Sequence, residues 1–93
     1  MEFEYDPQKS ELNLQKHGVA FEEAKVLWQQ PAVTIEGRIL KERRFVRIGF
    51  LRDKFYSCVF TLREFKIRII SLRRSRNQEI KIYWERIGYE KET

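Results

Sequence analysis

From Phe45 to Arg73 the chain reads as β structure, opening on the alternating Phe45–Leu51 and interrupted only by two short polar turns. Val46, Ile48 and Phe50 share one face of Phe45–Leu51. Arg52-Asp53-Lys54 reads as a turn, Phe55–Leu62 as a strong β run, Arg63-Glu64-Phe65 as the next turn and Lys66–Arg73 as a final strand. A period of two cannot place an apolar stripe on a helix, and turns this short leave room only for hairpins between antiparallel neighbours. Val33-Thr34-Ile35, ending in a turn near Gly37, adds a strand before this block.

The flanking segments change period. Phe3 and Tyr5 alternate with Glu2 and Glu4 as a short strand. Asp6-Pro7 then opens a helix, with Asp capping free N–H groups and Pro tolerated at the first helical position. Lys16-His17-Gly18 closes it, and a second helix with Phe21, Ala24, Leu27 and Trp28 on one face stops before Pro31. Ser75-Arg76-Asn77-Gln78 fits a capping box for a final helix, whose Ile80, Tyr83, Trp84 and Ile87 form one buried stripe. The order β-α-α-β-β-β-β-α predicts an α+β domain: an antiparallel sheet with two N-terminal helices and one C-terminal helix packed against it, segregated to one side. With 93 residues there is material for a single domain, 1–93, with one modest core.

Composition excludes several classes. No apolar run approaches the roughly 20 residues of a membrane span, and the N-terminus lacks the pattern of a signal peptide, so a cytoplasmic protein with no membrane partner is expected. One Cys and one His exclude a disulfide framework and a Cys/His zinc site. Residues 1–37 hold three Lys against seven acids, a net of −4; residues 38–93 hold sixteen Lys and Arg against seven acids, a net of +9. Every arginine lies in the second part, and the planar guanidinium fork suits phosphate, so composition points equally to a polyanionic partner and to a solvated basic face.

The densest cluster is Arg63, Lys66, Arg68, Arg73, Arg74 and Arg76, opposed within 61–76 only by Glu64. Strict alternation puts Lys66, Arg68, Ile70 and Leu72 on one face and Ile67, Ile69, Ser71 and Arg73 on the other, with Arg68 and Arg73 both expected as exposed side chains. An edge strand guarded by charge explains Lys66 but not the preference for Arg. Arg43, Arg44 and Arg47 form a second cluster, for which a solvated outer face is an equal reading; Arg47 shares a face with Phe45. His17 suits a helix C-terminus, or proton transfer near neutral pH. Tyr83 and Trp84 read as core, and Cys58 as a buried, inert thiol.

Phe3-Glu4-Tyr5-Asp6 with Lys9, Asn13 and Lys16-His17-Gly18-Val19, then Phe21-Glu22-Glu23-Ala24, resembles the opening of the BrnT family. So do Glu42-Arg43 with Ile48-Gly49, and Thr61-x-Arg63 followed by Ile67-Arg68-Ile69-Ile70-Ser71-x-Arg73-Arg74, in order from about Phe3 to Tyr83. Ala20, where a Ser or Thr usually caps the second helix, and Leu72 and Ser75, where Ala is common, depart from the pattern without removing a charge. The resemblance implies the ribonuclease toxin of a bacterial type II toxin–antitoxin pair, with a RelE-like fold. It implies inhibition of translation and growth, and neutralisation by a BrnA-like ribbon-helix-helix antitoxin through which alone the assembly meets operator DNA.

Under that reading Arg63, Arg68, Arg73 and Arg74 bind phosphate and stabilise the transition state, with Glu64 as proton carrier and His17 as another candidate. Arg43, Arg47, Lys66 and Arg76 hold RNA, and neither metal nor cofactor is called for. RNA carries its own nucleophile, the 2′-OH, so alignment and fixed cations suffice. A non-catalytic nucleic-acid-binding module and a basic protein-interaction domain are the alternatives.

Overall fold

The computed structural model describes residues 1–37 and 42–92, with side chains to Gly88; part of the expected turn after Gly37 lies outside the described residues. Five strands, β1 (Glu2–Glu4), β2 (Val33–Glu36), β3 (Phe45–Leu51), β4 (Lys54–Arg63) and β5 (Lys66–Arg74), form one sheet in the order β1-β5-β4-β3-β2. Neighbours from β2 to β5 are antiparallel, as the hairpin turns require. Strand β1, however, joins β5 in parallel, so the sheet is mixed rather than antiparallel. Three residues of alternation carry no information about strand direction.

Both hairpin loops have two residues in the left-handed region: Arg52 and Asp53 (φ 52° and 62°), and Glu64 and Phe65 (φ 52° and 67°). A two-residue loop needs that backbone to match the twist of its strands, and Gly or Asn usually supplies it. Here the flanking pairs Leu51–Lys54 and Arg63–Lys66 hold the turns closed.

Helix α1 (Pro7–His17) begins and ends as its sequence requires. The Asp6 carboxylate accepts from the Gln8 N–H at 2.9 Å, and Gly18 at φ 78° donates its N–H to the Leu14 carbonyl. Phe21–Trp28 is a 3₁₀ helix rather than an α-helix. Its buried residues Phe21, Ala24 and Leu27 recur every third position, which a threefold helix stacks into one line. The Glu23 carboxylate accepts from the Ala20 N–H at its start and pairs with Arg52, so the β3–β4 loop anchors this helix.

The helices lie on both faces of the sheet, not on one. Phe21, Ala24 and Leu27 pack on a first face made by Leu51, Tyr56, Cys58, Phe60, Ile67, Ile69 and Leu72. Helix α2 (Asn77–Glu92) packs Tyr83, Ile82 and Ile87 on the second face, against Val33, Val46, Ile48, Phe50, Phe55 and Val59. Trp84 is half exposed rather than core, touching Phe50 and Phe55 edge-on. Cys58 is fully buried, and burial pushes its thiol up to about 12, leaving it inert.

The expected alternation of β5 fails at one point. Val59 pairs with Ser71 and Phe60 with Ile69, so Ile70 is an extra residue, a β-bulge. Beyond it the phase reverses: Leu72 joins Ile67 and Ile69 on the first face, and Arg73 joins Lys66 and Arg68 on the second. Strand β1 covers β5 only as far as Arg68. Past the bulge the Asn13 side chain replaces a strand, accepting from the Leu72 N–H (3.2 Å) and donating to the carbonyls of Leu72 (2.8 Å) and Val19 (2.9 Å). Replacing Asn13 with the similarly sized Leu strands these buried groups and should cost about 2–4 kcal/mol, read as a lower urea midpoint with unchanged m.

Candidate active site

Register turns the second face into transverse rows of paired side chains, about 4.8 Å apart across strands. One row runs Glu2, Lys66, Arg63; the next runs Glu4, Arg68, Thr61. Arg44, one residue before the Phe45–Phe60 pair, extends the second row, and the Thr61 hydroxyl donates to the neighbouring Arg43 carbonyl at 2.8 Å. Helix α2 crosses the other half of this face, and among the described residues no helix lies over these rows.

Glu2 lies 3.9 Å from Lys66 and Glu4 lies 3.6 Å from Arg68, ion pairs too long to be hydrogen bonds. Half-exposed pairs of this length are worth at most about 1 kcal/mol, so the cations remain available to a stronger anion. Arg63 is exposed at the row's end with no acid in ion-pair range among the described residues. Glu64, in the turn, lines a groove of about 560 Å³ with Met1, Leu62 and Phe65, and Phe65 is 100% exposed. Two buried polar atoms have no hydrogen-bond partner among the described residues: Glu4 Oε1 and Arg44 Nε, both in the second row. Each costs about 1–3 kcal/mol while its missing bond goes unmade.

The other expected site residues are placed elsewhere. Arg73 reaches the second face but is not free: its guanidinium donates to both carboxylate oxygens of Glu79, at 2.8 and 2.9 Å. Side chains only 18% and 11% exposed make this a buried structural pair, so Arg73 is not the exposed side chain that strict alternation predicts. Glu79 also accepts from the Arg76 N–H (2.8 Å) and the Ser57 hydroxyl (3.0 Å). It closes the cap of α2, one position beyond the expected box. Burial pushes its carboxyl up, but these hydrogen bonds outweigh that and bring it down to about 2.

Arg74 points to the first face, over the Tyr56 ring. Arg76 has an exposed side chain beside the cap. Arg47 is on the first face as expected, but donates to the Leu27 carbonyl (2.6 Å) and the Thr34 hydroxyl (3.0 Å), above Trp28. Arg43 is exposed and paired with Glu36 at 2.6 Å. His17 lines a separate groove with Lys9, Lys16, Ile70 and Ser71. The structure therefore gathers Arg63, Lys66 and Arg68, and separates them from the others. Glu2, Glu4, Thr61 and Arg44 join them unforeseen; continuing the alternation of β1 onto β5 would have found the two acids, had the parallel pairing been known.

A family model described as the ribonuclease toxin BrnT of a type II toxin–antitoxin system matches residues 5–79. The chain belongs to the BrnT family. No individual curated protein matches it. BrnT membership makes it a ribonuclease toxin of a type II system and implies an antitoxin partner. The matched span contains the two rows except Glu2 and Glu4, and ends on Glu79. Among the described residues no three His, Cys, Asp or Glu side chains gather to hold a metal ion, and no helix is long and apolar enough to cross a membrane.

The Arg73–Glu79 pair makes a prediction about this BrnT chain. The Glu79 carboxyl titrates below its usual 4.5, so its contribution is present above about pH 4.5 and is lost as pH falls toward 2. Urea unfolding should show Glu79→Gln and Arg73→Ala each about 2–3 kcal/mol less stable at pH 7. The difference between wild type and Glu79→Gln should shrink steadily from pH 5 to pH 2.

Proposed function

We propose that the chain is a RelE-like endoribonuclease of the bacterial cytoplasm that cleaves RNA without a metal, stopping translation and growth until a BrnA-like ribbon-helix-helix antitoxin covers it. One observation carries this reading: Arg63, Lys66 and Arg68 converge on a part of the sheet that no described helix covers, held only by long contacts to Glu2 and Glu4. A phosphodiester laid along the rows exchanges those contacts for charge-assisted hydrogen bonds. The sheet fixes the strands that carry the cations before the substrate arrives, so only side chains need to move to stabilise the pentacoordinate phosphorane.

The 2′-OH beside the scissile phosphate is the nucleophile, and the protein's task is to hold it in line. Arg74 and Arg76, at the far end of β5, hold flanking RNA, and Arg43 extends the basic track beside Thr61. Arg73 supports the site indirectly, by docking α2 through Glu79. The antitoxin, through which operator DNA is reached, brings acidic side chains to the open rows.

Cleavage of an RNA substrate should persist in excess EDTA, and a DNA oligonucleotide of the same sequence should bind without being cut. Arg63→Ala and Arg68→Ala should each abolish growth arrest at equal expression with unfolding midpoints within a few degrees of wild type, because neither opens a cavity. Arg68→Lys should rescue only partly, since an ammonium lacks the guanidinium fork. Activity lost on chelation and restored by Mg²⁺, or full toxicity of both alanine variants, overturns the mechanism; RNA binding without any cleavage favours a non-catalytic module.

A further inference from the structure

A ribonuclease that uses the 2′-OH needs a group to receive its proton, and the described carboxylates differ in how fully their oxygens are engaged. Glu79 accepts four hydrogen bonds. Glu22 is taken by Tyr5 and Lys25, Glu23 by the Ala20 amide and Arg52, and Glu36 by Arg43. Glu2 is largely exposed, at the outer end of its row. Glu4 alone combines three properties: its side chain as a whole is 30% exposed, so a substrate can approach the carboxylate; its Oε1, shielded from water, accepts no hydrogen bond from a described residue; and the Arg68 guanidinium stands 3.6 Å away without bonding to it. A second buried polar atom without a partner among the described residues, the Arg44 donor Nε, lies at the opposite end of the same row. Glu4 and Arg68, neighbours in the row, complement a ribose hydroxyl next to a phosphate, an acceptor for the first beside a cation for the second.

We propose that Glu4 is a catalytic residue, the general base that takes the proton from the ribose 2′-OH; this rests on the ribonuclease reading above. As the 2′ oxygen bonds to phosphorus, its proton passes to the Glu4 carboxylate and the P–O5′ bond breaks. The departing 5′ oxygen takes a proton from water, leaving a 2′,3′-cyclic phosphate and a 5′-hydroxyl. Glu4 then returns its proton to solvent, and no oxidant, reductant or co-reactant is consumed. Arg68 holds the phosphate beside the carboxylate, and Arg44, two strands further along the row, is left for a flanking phosphate of the same strand of RNA.

The test compares the purified full-length wild type, Glu4→Gln and Glu4→Asp on an RNA oligonucleotide across pH. Glu4→Gln should lower kcat by about 10²–10⁴-fold at nearly unchanged KM, and the fall in rate toward acid pH should disappear. Glu4→Asp, which keeps the carboxylate but shortens its reach, should recover part of the rate and restore the acid limb. A substrate whose scissile 5′ oxygen is replaced by sulfur, a better leaving group, should not rescue Glu4→Gln, because the lost step is at the nucleophile. Rescue by that substrate would make Glu4 an acid and overturn the assignment. So would a wild-type rate and pH profile in Glu4→Gln, or loss of the acid limb in Glu64→Gln instead. A wild-type chain that cuts no RNA overturns the ribonuclease reading itself, which separates that failure from the failure of Glu4.

Discussion

One unpaired residue, Ile70, sets the geometry of the molecule. Without the bulge, β5 would keep its phase to the end, Leu72 would face away from the first core and Arg73 would point into it. With it, Leu72 completes the packing against the 3₁₀ helix and Arg73 emerges where Glu79 can receive it. The same irregularity lies at the edge that β1 leaves uncovered, where Asn13 takes the place of a strand. Two helices, one on the edge and one on the far face, are therefore anchored within three residues of a single insertion. Bulges bend a strand and sharpen its twist, so the basic end of β5 is also angled relative to the rest of the sheet.

Arginine serves two different purposes here, and acceptor geometry distinguishes them. Arg47, Arg52 and Arg73 donate to carbonyls or carboxylates and fix one element to another. Arg63 and Arg68 are held loosely or not at all. The first kind contributes to the fold; the second leaves charge unspent near a surface where a phosphate can use it. Basic composition alone blurs this distinction, because both kinds count equally toward a net charge.

What could be read from the chain follows from how local each signal is. Asp6, Pro7 and Gly18 specify the ends of α1 through bonds that span a few residues, and the hairpin turns at Arg52-Asp53 and Glu64-Phe65 fall where the alternation breaks. The bulge left only one trace, the adjacent apolar pair Ile69-Ile70, which a strand buried on both faces produces equally well. The side on which α2 packs was not legible, since an amphipathic stripe says that a face is buried but not against which surface. For the site, Arg63, Lys66 and Arg68 were visible as a dense basic run, whereas Arg73 looked equivalent until its partner six residues later came into contact. Glu4 reads as one polar position of a short strand, and its place beside Arg68 depends on a parallel pairing that only the three-dimensional fold supplies.

That parallel pairing also orders events during synthesis. Glu4 and Arg68 are separated by more than sixty residues, and neither hairpin contact nor helix formation brings them together earlier. Closing so long a loop is entropically costly and slow compared with forming the β3–β4–β5 meander, so β1 adds to an edge that must already exist. A nascent chain therefore carries all the acidic residues of its first strand long before it has the strand they dock on. The rows on the second face are assembled only when β5 has emerged, so they stay incomplete until most of the chain has been made.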